Sequence, residues 1–596
     1  MKAESQRYNK LSRILNSNYL AYCTMIGLTV GFLSFLFSEE WWNTSLGGFD
    51  WDQHFFYLES TRKPILEFKE FPFWNPYYGG GMPVLENPQV KFFSPTNLFS
   101  FFLGPIIGLK FSIIFYHLIG TLGCVYLFHN VLKLHTIPTL FSSILFMFCG
   151  WHSQHVFPGH SQFFSTPILP FIIAFLIQFI KKQKPIYCFL SSFSAAMLLF
   201  EGNIYIFLYL NLFLSLLSVY YLFQKETRNI TFHIWKFLTL TLLLASYRLL
   251  PEMDYFFQYG AFYKADSLSL NIINVFDIFT NSSQHPFLAF PIPNQEYRWW
   301  EYGNYIGYLP FIVFFSLVGF TKKTDLPFLI LLILSLSLMF GNFHPFSPAN
   351  ILSQIPGFSN TRCYARWGIV FVFIFSVLTG TYLNRLIAKL SSSGLFKKSN
   401  YFKLLFFIFM CSLCIFLYTD IRRKNAKNFK DIFIYPAITL DVSGKFETYA
   451  SFPSYGADSS LLLGIFQNKS TRDSYENLLS NKSLPAAGDE NYKGEYYLSN
   501  EGKIEQTHWS PGELHFHANL PEKNTLIINQ NYNHQWKTRS DHIIKNVNGL
   551  IGIELNKGEN NIELYYKSNY FLLGSLLGVI GLLYSFFGRF GCPSDK

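Results

Sequence analysis

Long apolar stretches separated by short polar loops make up most of the chain. The first extends from about residue 18 to residue 37, and the last from Tyr570 to Phe587. Each approaches the roughly 20 residues that a helix needs to cross a bilayer. The stretch 185–223 is long enough for two such helices, and its polar break at 201–203 (EGN) predicts the turn between them. Taken along the whole chain, these stretches predict about twelve transmembrane helices.

Three longer polar segments interrupt this pattern, at 39–97, 251–304 and 342–366. Basic residues gather in the other loops, for example at 181–184 (KKQK). Because basic loops favour the cytoplasmic side of a membrane, the alternation predicts that both termini are cytoplasmic and that the three longer segments lie outside. Acidic and aromatic residues (EEWW) follow the first apolar stretch where a cleavage site would have small residues, so we expect this first helix to be retained.

Residues 420–568 lack a long apolar stretch and show strand patterns instead. Segments 551–555 and 561–566 flank a short polar break, which predicts a β-hairpin, and Asn548-Gly549 predicts a second tight turn. The sequence therefore predicts three parts. They are a transmembrane module at 1–419, an outer β-rich domain at 420–568, and a final transmembrane helix with a cytoplasmic tail at 569–596.

Composition supports a membrane protein and excludes several other classes. Half of the residues are hydrophobic and only 14% are charged, against roughly 25% in soluble proteins. The net charge of +10 is explained by the basic loops, so it does not indicate a nucleic-acid-binding protein. Most of the eight cysteines fall inside apolar stretches, so they do not indicate a disulfide framework.

Asp50 and Asp52 are the first candidates for chemistry, because they follow the first transmembrane segment directly. Carboxylates beside a bilayer are costly unless they have a partner or a task. On an extended segment the two side chains would share a face, where they could bind a divalent cation or raise the pKa of one member, which could then act as a base. The alternative is a polar loop in which one aspartate caps the following element.

A glycine-rich segment follows at residues 74–83 (WNPYYGGGMP). Three consecutive glycines allow positive φ angles and a close approach by another group. The segment lacks the Lys-Ser/Thr ending of a phosphate-binding loop. A structural turn and a substrate-lining turn both remain open at this stage.

Arg362 and Arg366 lie four residues apart, so on a helix they would share a face and could hold a phosphate. The alternative is an interfacial pair that binds lipid headgroups or loop carboxylates. His152, His155 and His160 lie within nine residues, but their spacing matches no helical zinc motif. Metal binding, substrate hydrogen bonding and simple loop polarity all remain open for them. Glu201 and Glu301 are weaker candidates.

Several segments occur in an order familiar from one family. They are Asp50-Trp-Asp-Gln, Phe73-Trp-Asn-Pro-Tyr-Tyr-Gly-Gly, Asn87-Pro-Gln and Ser94-Pro95, then Gly159-His160, Tyr305-Ile-Gly-Tyr-Leu-Pro, Ile355-Pro-Gly-Phe and the Arg362 and Arg366 pair, and finally Tyr532, Trp536-Lys537 and the strand from Gly558 to Tyr566. Together they span nearly the whole chain. The chain therefore resembles the YfhO-like bacterial membrane proteins, a branch of the GT-C superfamily of integral-membrane glycosyltransferases.

The resemblance implies a GT-C-like helical fold and transfer of a sugar from a polyprenyl-phosphate donor to a glycan or lipid-glycan acceptor, on the outer face of the bacterial cytoplasmic membrane. It implies Asp50 as the catalytic base, Asp52 as its neighbour or a metal ligand, and Arg362 and Arg366 as the groups that hold the lipid phosphate. The substrate contacts that it implies are His54, Glu86 and His160. No cofactor is implied other than a candidate divalent cation, and the partners are the donor, the acceptor and membrane lipids.

Two alternatives compete with a transferase. A transporter or flippase of lipid-linked glycan would need acidic residues or broken helices near the bilayer midplane, whereas the polar residues here concentrate in the outer loops. A non-catalytic assembly protein of the cell envelope would use the β-rich domain for binding.

Overall fold

Helices form most of the chain, and strands are concentrated toward its C-terminal end. The computed structural model describes residues 18–43, 47–259, 269–290, 298–360, 363–393, 399–429, 432, 450–452, 461–472 and 484–587. The helices are α1 (Asn18–Phe32), α2 (Glu39–Trp42), α3 (Trp51–Lys63), α4 (Pro95–Leu103), α5 (Pro105–Val125), α6 (Thr136–Met147), α7 (Gly150–Val156), α8 (Leu169–Lys182), α9 (Pro185–Phe200), α10 (Ile204–Leu222), α11 (Arg228–Tyr259), α12 (Ile272–Thr280), α13 (Trp299–Tyr302), α14 (Leu309–Ser316), α15 (Leu326–Met339), α16 (Pro348–Ser353), α17 (Gly368–Ser392), α18 (Asn400–Asn425), α19 (Leu461–Phe466) and α20 (Asn569–Phe587).

Within these described ranges, seven helical segments are long and apolar enough to cross a membrane. They are Pro105–Val131, Ser161–Lys182, Ile204–Leu222, Arg228–Gln258, Tyr364–Ser392, Tyr401–Phe429 and Asn569–Phe586. The predicted helical fold is therefore present, and these seven candidate spans support a polytopic membrane protein, whereas the predicted number of about twelve is not confirmed. Helix α9 is apolar but shorter, and the predicted turn between α9 and α10 at 201–203 is present.

Two helices extend further than the sequence predicted. Helix α11 passes through Pro251 and ends at Tyr259, although proline normally ends or kinks a helix. It packs against the last helix, α20, where the Ser246 hydroxyl donates to the Gly574 carbonyl at 2.6 Å. Helix α18 continues to Asn425, so the described strands of the β-rich domain begin well after residue 420.

The segment 39–97 contains several short elements. Helix α3 occupies its centre, the short strands β1 (Trp74–Asn75) and β2 (Met82–Pro83) pair with each other, and α4 closes it. The extended backbone expected for Asp50 and Asp52 is wrong, because Asp50 lies at the N-terminal cap of α3 and Asp52 in its first turn. Side chains two residues apart on a helix point in different directions.

Two four-stranded sheets form the β-rich domain. Its strands, with a preceding two-stranded pair, are β3 (Ala450–Phe452), β4 (Lys469–Thr471), β5 (Tyr496–Leu498), β6 (Ile504–Trp509), β7 (Glu513–Leu520), β8 (Asn524–Asn531), β9 (Trp536–Thr538), β10 (Ile544–Val547), β11 (Leu550–Leu555) and β12 (Gly558–Tyr566). One sheet has the order β10-β11-β8-β5 and the other β6-β7-β12-β9. Alternate residues of both sheets, such as Phe516 and Ile551, share one buried core, which makes the domain a β-sandwich.

One predicted hairpin is confirmed and the other is wrong. Strands β10 and β11 pair through a turn at Asn548 and Gly549, whose φ angles of 52° and 87° suit the residue types there. Strands β11 and β12 belong to different sheets, so the break at 556–557 is a crossover between the two layers.

The glycine-rich segment 74–83 docks against the sandwich and its neighbouring strands. Trp74 belongs to the sandwich core, and its indole N–H donates to Gln530 at 2.8 Å. The Asn531 side chain donates to the carbonyls of Gly79 and Gly81 at 2.6 and 2.9 Å. The structural interpretation of the three glycines is therefore confirmed, since they bring this backbone close to strand β8.

Candidate active site at the start of helix α3

A tight turn from another part of the chain lies against the start of α3. The Asp50 amide donates to the Pro158 carbonyl at 2.9 Å, and the Trp51 indole donates to the Phe157 carbonyl at 3.2 Å. Gly159 has a φ of +85°, and a Cβ added to it would lie 2.6 Å from the Trp51 nitrogen. Only glycine fits here, and the turn consequently holds the next residue, a histidine, beside Asp50.

His160 joins Asp50 to a second buried histidine. Its Nε2 lies 3.5 Å from Asp50 Oδ2, and its Nδ1 lies 2.9 Å from His155 Nδ1. Burial holds the pKa of His155 well below its usual range, so this ring is neutral. Both contacts are satisfied when His155 donates to His160 and the His160 Nε2–H faces the carboxylate. The Asp50 side chain is 40% exposed and that of His160 only 9%, so Asp50 is the member that meets solvent.

A buried ion pair adjoins the other side of His160. Arg366 donates to both oxygens of Glu301, at 3.0 and 2.9 Å, and Glu301 Oε1 lies 3.9 Å from His160 Nε2. The guanidinium also lies 4.5 Å from the centre of the Tyr205 ring, a cation–π contact. A continuous chain of polar groups thus extends from the exposed Asp50 to the buried Arg366.

The same groups offer a set of metal ligands. One ligand atom each from His155, His160 and Glu301 lies within 4.8 Å of the others, and all three residues are buried. Two imidazoles and a carboxylate suit Zn²⁺. Because Arg366 already binds both Glu301 oxygens, a cation placed here would share that carboxylate with the guanidinium. The cation site expected between Asp50 and Asp52 is not brought together, because the Asp52 carboxylate accepts from the amides of Leu461 and Leu462 instead.

Asp52 faces away from Asp50, toward the N-terminus of α19. Its two carboxylate oxygens accept from the amides of Leu461 and Leu462 at 2.6 and 3.3 Å. These amides have no partner within their own helix, and a carboxylate there is also favoured by the helix dipole. Asp52 therefore caps a helix about 400 residues away in the chain,, and the structure does not bring it to the candidate site.

His54 lies one turn after Asp50 and is buried beside this chain of groups. Burial, with a smaller effect from the Lys91 charge, holds its pKa well below the usual range, so the ring is neutral. Gln162 lies beside the ring and His160 is near enough to affect it. The predicted substrate residues His54 and His160 are thus brought together near Asp50.

Three other candidates are placed elsewhere. Glu86 is buried beside the sandwich, where the Tyr566 hydroxyl is 3.4 Å from its Oε1. Burial, and the nearby Asp254 charge, raise the pKa of Glu86 well above its usual range. His152 contacts the Phe146 carbonyl at 3.2 Å, so the predicted cluster of three histidines is divided. Arg362 lies outside the described residues.

One buried group near the site, Lys91, was not among the residues predicted from the sequence. It lies in the segment QVKFF, between the predicted first outer turn and α4, and is 2% exposed. The positive-inside rule leaves outer segments poor in basic residues. A lysine among apolar residues of the predicted outer segment 39–97 was therefore a signal of a specific role for that side chain.

The chain thus combines a helical module that contains seven candidate membrane spans among its described residues with a β-sandwich docked on that module. A half-exposed aspartate lies at the end of a buried polar cluster. In comparisons with known proteins, no family model matches the chain, and no curated protein matches its sequence.

Proposed function

We propose that this chain is a membrane glycosyltransferase of the GT-C kind, which moves a sugar from a polyprenyl-phosphate donor to an acceptor hydroxyl. The observation that carries the proposal is the Asp50 carboxylate, which is open to solvent and lies 3.5 Å from His160 in an otherwise buried polar cluster. A general base needs access to the substrate and neighbours that fix its orientation. Asp50 has both.

In the proposed reaction, Asp50 takes the proton of the acceptor hydroxyl. The hydroxyl oxygen then forms a bond to the anomeric carbon of the donor sugar, and the bond from that carbon to the phosphate oxygen breaks. The electron pair of the broken bond leaves with the polyprenyl phosphate. His160 orients Asp50, while His155 fixes the tautomer of His160.

Arg366 has a positioning role in this proposal. Its guanidinium is bound to Glu301 through two hydrogen bonds and is 5% exposed. Binding the donor phosphate would require breaking this buried pair, which is costly. Arg366 instead holds Glu301 beside His160.

The proposal includes a location and an orientation. The helical module lies in the bacterial cytoplasmic membrane, with shorter apolar helices such as α9 and α15 completing it. Both termini are cytoplasmic, and Asp50 and the β-sandwich are on the outer face. Nucleotide sugars are cytoplasmic, so a lipid-carried donor suits a site on that face.

A divalent cation at His155, His160 and Glu301 is the alternative use of the same cluster. In that case the cation and Asp50 would together activate the hydroxyl. Treatment with EDTA distinguishes the two mechanisms, because only the metal-dependent one loses activity and recovers it when zinc is restored.

A lipid-glycan flippase is the second candidate, and one feature favours it. Helix α11 contains a buried ion pair, Arg248 with Glu252 at 2.7 Å, of the kind that transporters use. However, Arg248 also donates to the Asn87 and Val90 carbonyls, so it holds a loop in place. This anchoring supports the transferase over the flippase.

The two functions differ in whether a bond is broken. The purified protein, reconstituted in lipid nanodiscs, is incubated with a polyprenyl-phosphate sugar and a hydroxyl acceptor. The transferase hypothesis predicts release of free polyprenyl phosphate that requires the acceptor. Recovery of all donors intact, with movement of the donor across the bilayer of proteoliposomes, would support the flippase instead.

A further inference from the structure

Lys91 is a buried cation whose charge has no direct counter-ion among the described residues. It is 2% exposed, and among the described residues its Nζ has no hydrogen-bond partner. Burial lowers its pKa to about 8, while the nearby Glu201 charge favours the protonated form and that of Arg248 opposes it. At neutral pH the amine is therefore an ammonium group with three unused donors.

Glu201 is near enough for its charge to affect Lys91, but it is not hydrogen-bonded to the Lys91 Nζ. Its Oε1 accepts from the Thr96 amide at 3.0 Å and from the Tyr116 hydroxyl at 2.7 Å. Gly202 then brings the 201–203 turn against residues 88–89, since a Cβ added there would lie 2.9 Å from the Pro88 carbonyl. The turn thus supports the Lys91 segment from one side without neutralising the ammonium group.

His54 lies near enough to Lys91 for the lysine charge to lower its pKa. The ring is 1% exposed, and its hydrogen-bonding neighbour is the Gln162 side chain. A hydrogen bond to Gln162 uses one ring nitrogen and leaves the other without a partner among the described residues. Buried polar atoms are normally satisfied, so an unpartnered ammonium group and a nearby unpartnered ring nitrogen indicate a ligand site.

The ligand must be an anion that accepts several hydrogen bonds. An ammonium group beside a neutral imidazole N–H provides a positive charge and a directed donor, and this combination suits a phosphate. Phe93, two residues after Lys91, is 55% exposed and offers an apolar surface beside this region. A phosphate that carries a hydrocarbon chain matches both features.

We propose that Lys91 and His54 bind a phosphate group, and that in the proposed transferase this is the phosphate of the lipid-linked donor. The inference rests on the proposed function for the identity of the lipid, but not for the anion site itself. A sugar phosphodiester has one negative charge, and the phosphate monoester that leaves has two. Lys91 therefore stabilises the charge that develops as the bond to the sugar breaks.

Binding to the full-length protein in detergent tests the proposal without turnover. The probes are farnesyl phosphate, inorganic phosphate and uncharged farnesol, and affinity is measured by isothermal titration calorimetry. Lys91→Met is compared with Lys110→Met, which removes another fully buried lysine whose Nζ donates to the Asn43 carbonyl at 2.9 Å. We expect Lys91→Met to weaken farnesyl phosphate binding at least tenfold. Lys110→Met should bind farnesyl phosphate with the same affinity as the wild type.

The probes separate the sources of the phosphate. Tight binding of farnesyl phosphate with weak binding of the other two supports a lipid phosphate, whereas equal binding of inorganic phosphate assigns the site to a free phosphate. If Lys91→Met does not fold, the wild type still tests the idea, because its affinity should fall as the pH rises above 8. Unchanged binding by Lys91→Met, or a wild-type affinity independent of pH, overturns the inference.

Asp50-dependent sugar transfer would then still support the proposed function, whereas phosphate binding without any transfer would count against the function alone.

Discussion

Buried charges in this chain differ in how they are balanced. The Glu301 and Arg366 side chains compensate each other through two hydrogen bonds. The Lys91 ammonium has no hydrogen-bond partner among the described residues. Removing Glu301 or Arg366 leaves the other side chain as an uncompensated buried charge. Removing Lys91 eliminates a buried charge that is already uncompensated. The two substitutions should therefore have opposite effects on stability.

Glu301→Gln is expected to destabilise the protein by about 3–5 kcal/mol, because it leaves the Arg366 guanidinium buried and unpaired. Glu563→Gln is the matched control, since Glu563 pairs with Arg539 at 3.5 Å but both side chains are about half exposed. Thermal unfolding in detergent measures both variants. Equal, small losses would show that the Glu301 pair is not buried as described.

Lys91 should make stability depend on pH. Its pKa of about 8 in the folded protein lies below the value of a free lysine, so the unfolded chain binds more protons between these two values. The penalty for the buried charge is complete below pH 8 and is relieved as the pH rises toward 10.4, a gain of about 3 kcal/mol. Subtracting the pH profile of Lys91→Met from that of the wild type isolates this gain. A flat difference between pH 7 and pH 10 would contradict the assignment.

At the residue scale, charged residues near the predicted membrane segments could be identified from the sequence, but their partners could not. Asp50, His54 and His160 could be predicted because they follow or approach apolar stretches. The separation of Asp50 from Asp52 could not, because it depends on a helix at α3 and on amides at Leu461 and Leu462, far along the chain. Charge and spacing in the sequence identify candidate residues. Tertiary contacts are needed to distinguish a residue of the site, such as Asp50, from a structural one, such as Asp52.

At the scale of elements, the attachment of the β-sandwich depends on the first outer segment. Glycines at 79–81 have positive φ angles, and Asn531 binds the carbonyls on both sides of Gly80. Trp74 fills part of the sandwich core. Helix α3, which has Asp50 at its N-terminal cap, ends at Lys63, so residues 64–73 connect the helix that begins at the candidate site to the segment that holds the sandwich.

Gly81→Ala should loosen this attachment, and Gly488→Ala is its matched control. Both glycines have φ angles near +100°, so alanine is strained to a similar degree in each. Only at Gly81 would the new Cβ meet a neighbour, at 2.7 Å from the Trp74 ring. Limited proteolysis should release the sandwich earlier in Gly81→Ala than in Gly488→Ala. Identical proteolysis of the two variants would show that this turn does not hold the sandwich.

Local patterns predicted the elements whose partners are adjacent in sequence. Asn548-Gly549 encodes the β10–β11 turn, and the break at 201–203 encodes the α9–α10 turn. The β11–β12 hairpin was predicted with equal local support and is wrong, because β12 pairs with β7 and β9 in the opposite sheet. Which sheet a strand joins is decided by its buried face and distant partners, which a single sequence does not display.

At the scale of the whole molecule, seven helices support a membrane protein, and its orientation is the part that the proposal adds. The proposal requires the sandwich and the loop at 181–184 to be on opposite sides of the membrane. This orientation was predicted from the basic loops, since basic residues favour the cytoplasmic side of a membrane. The number of transmembrane helices was less predictable. For a short apolar helix such as α9, length alone does not decide whether the helix crosses the membrane.

Single cysteines in a cysteine-free background test the orientation. Asn519→Cys lies on the exposed face of β7, and Lys184→Cys lies in an exposed loop between α8 and α9. In intact cells, a membrane-impermeant maleimide should label the first, and the second only after permeabilisation. The reverse pattern would place Asp50 in the cytoplasm and remove the argument for a lipid-carried donor.

The central claim is that Asp50 is the base and that Asp52 is structural. Transfer of sugar from a polyprenyl-phosphate donor, measured for Asp50→Asn and Asp52→Asn at equal amounts of folded protein, tests it most directly. Asp50→Asn should fold normally and lose at least about 100-fold in turnover. Asp52→Asn should lose about 1 kcal/mol of stability, through its weakened cap on α19, and keep its turnover. Full activity in Asp50→Asn, or equal losses of turnover in both variants, would contradict the account.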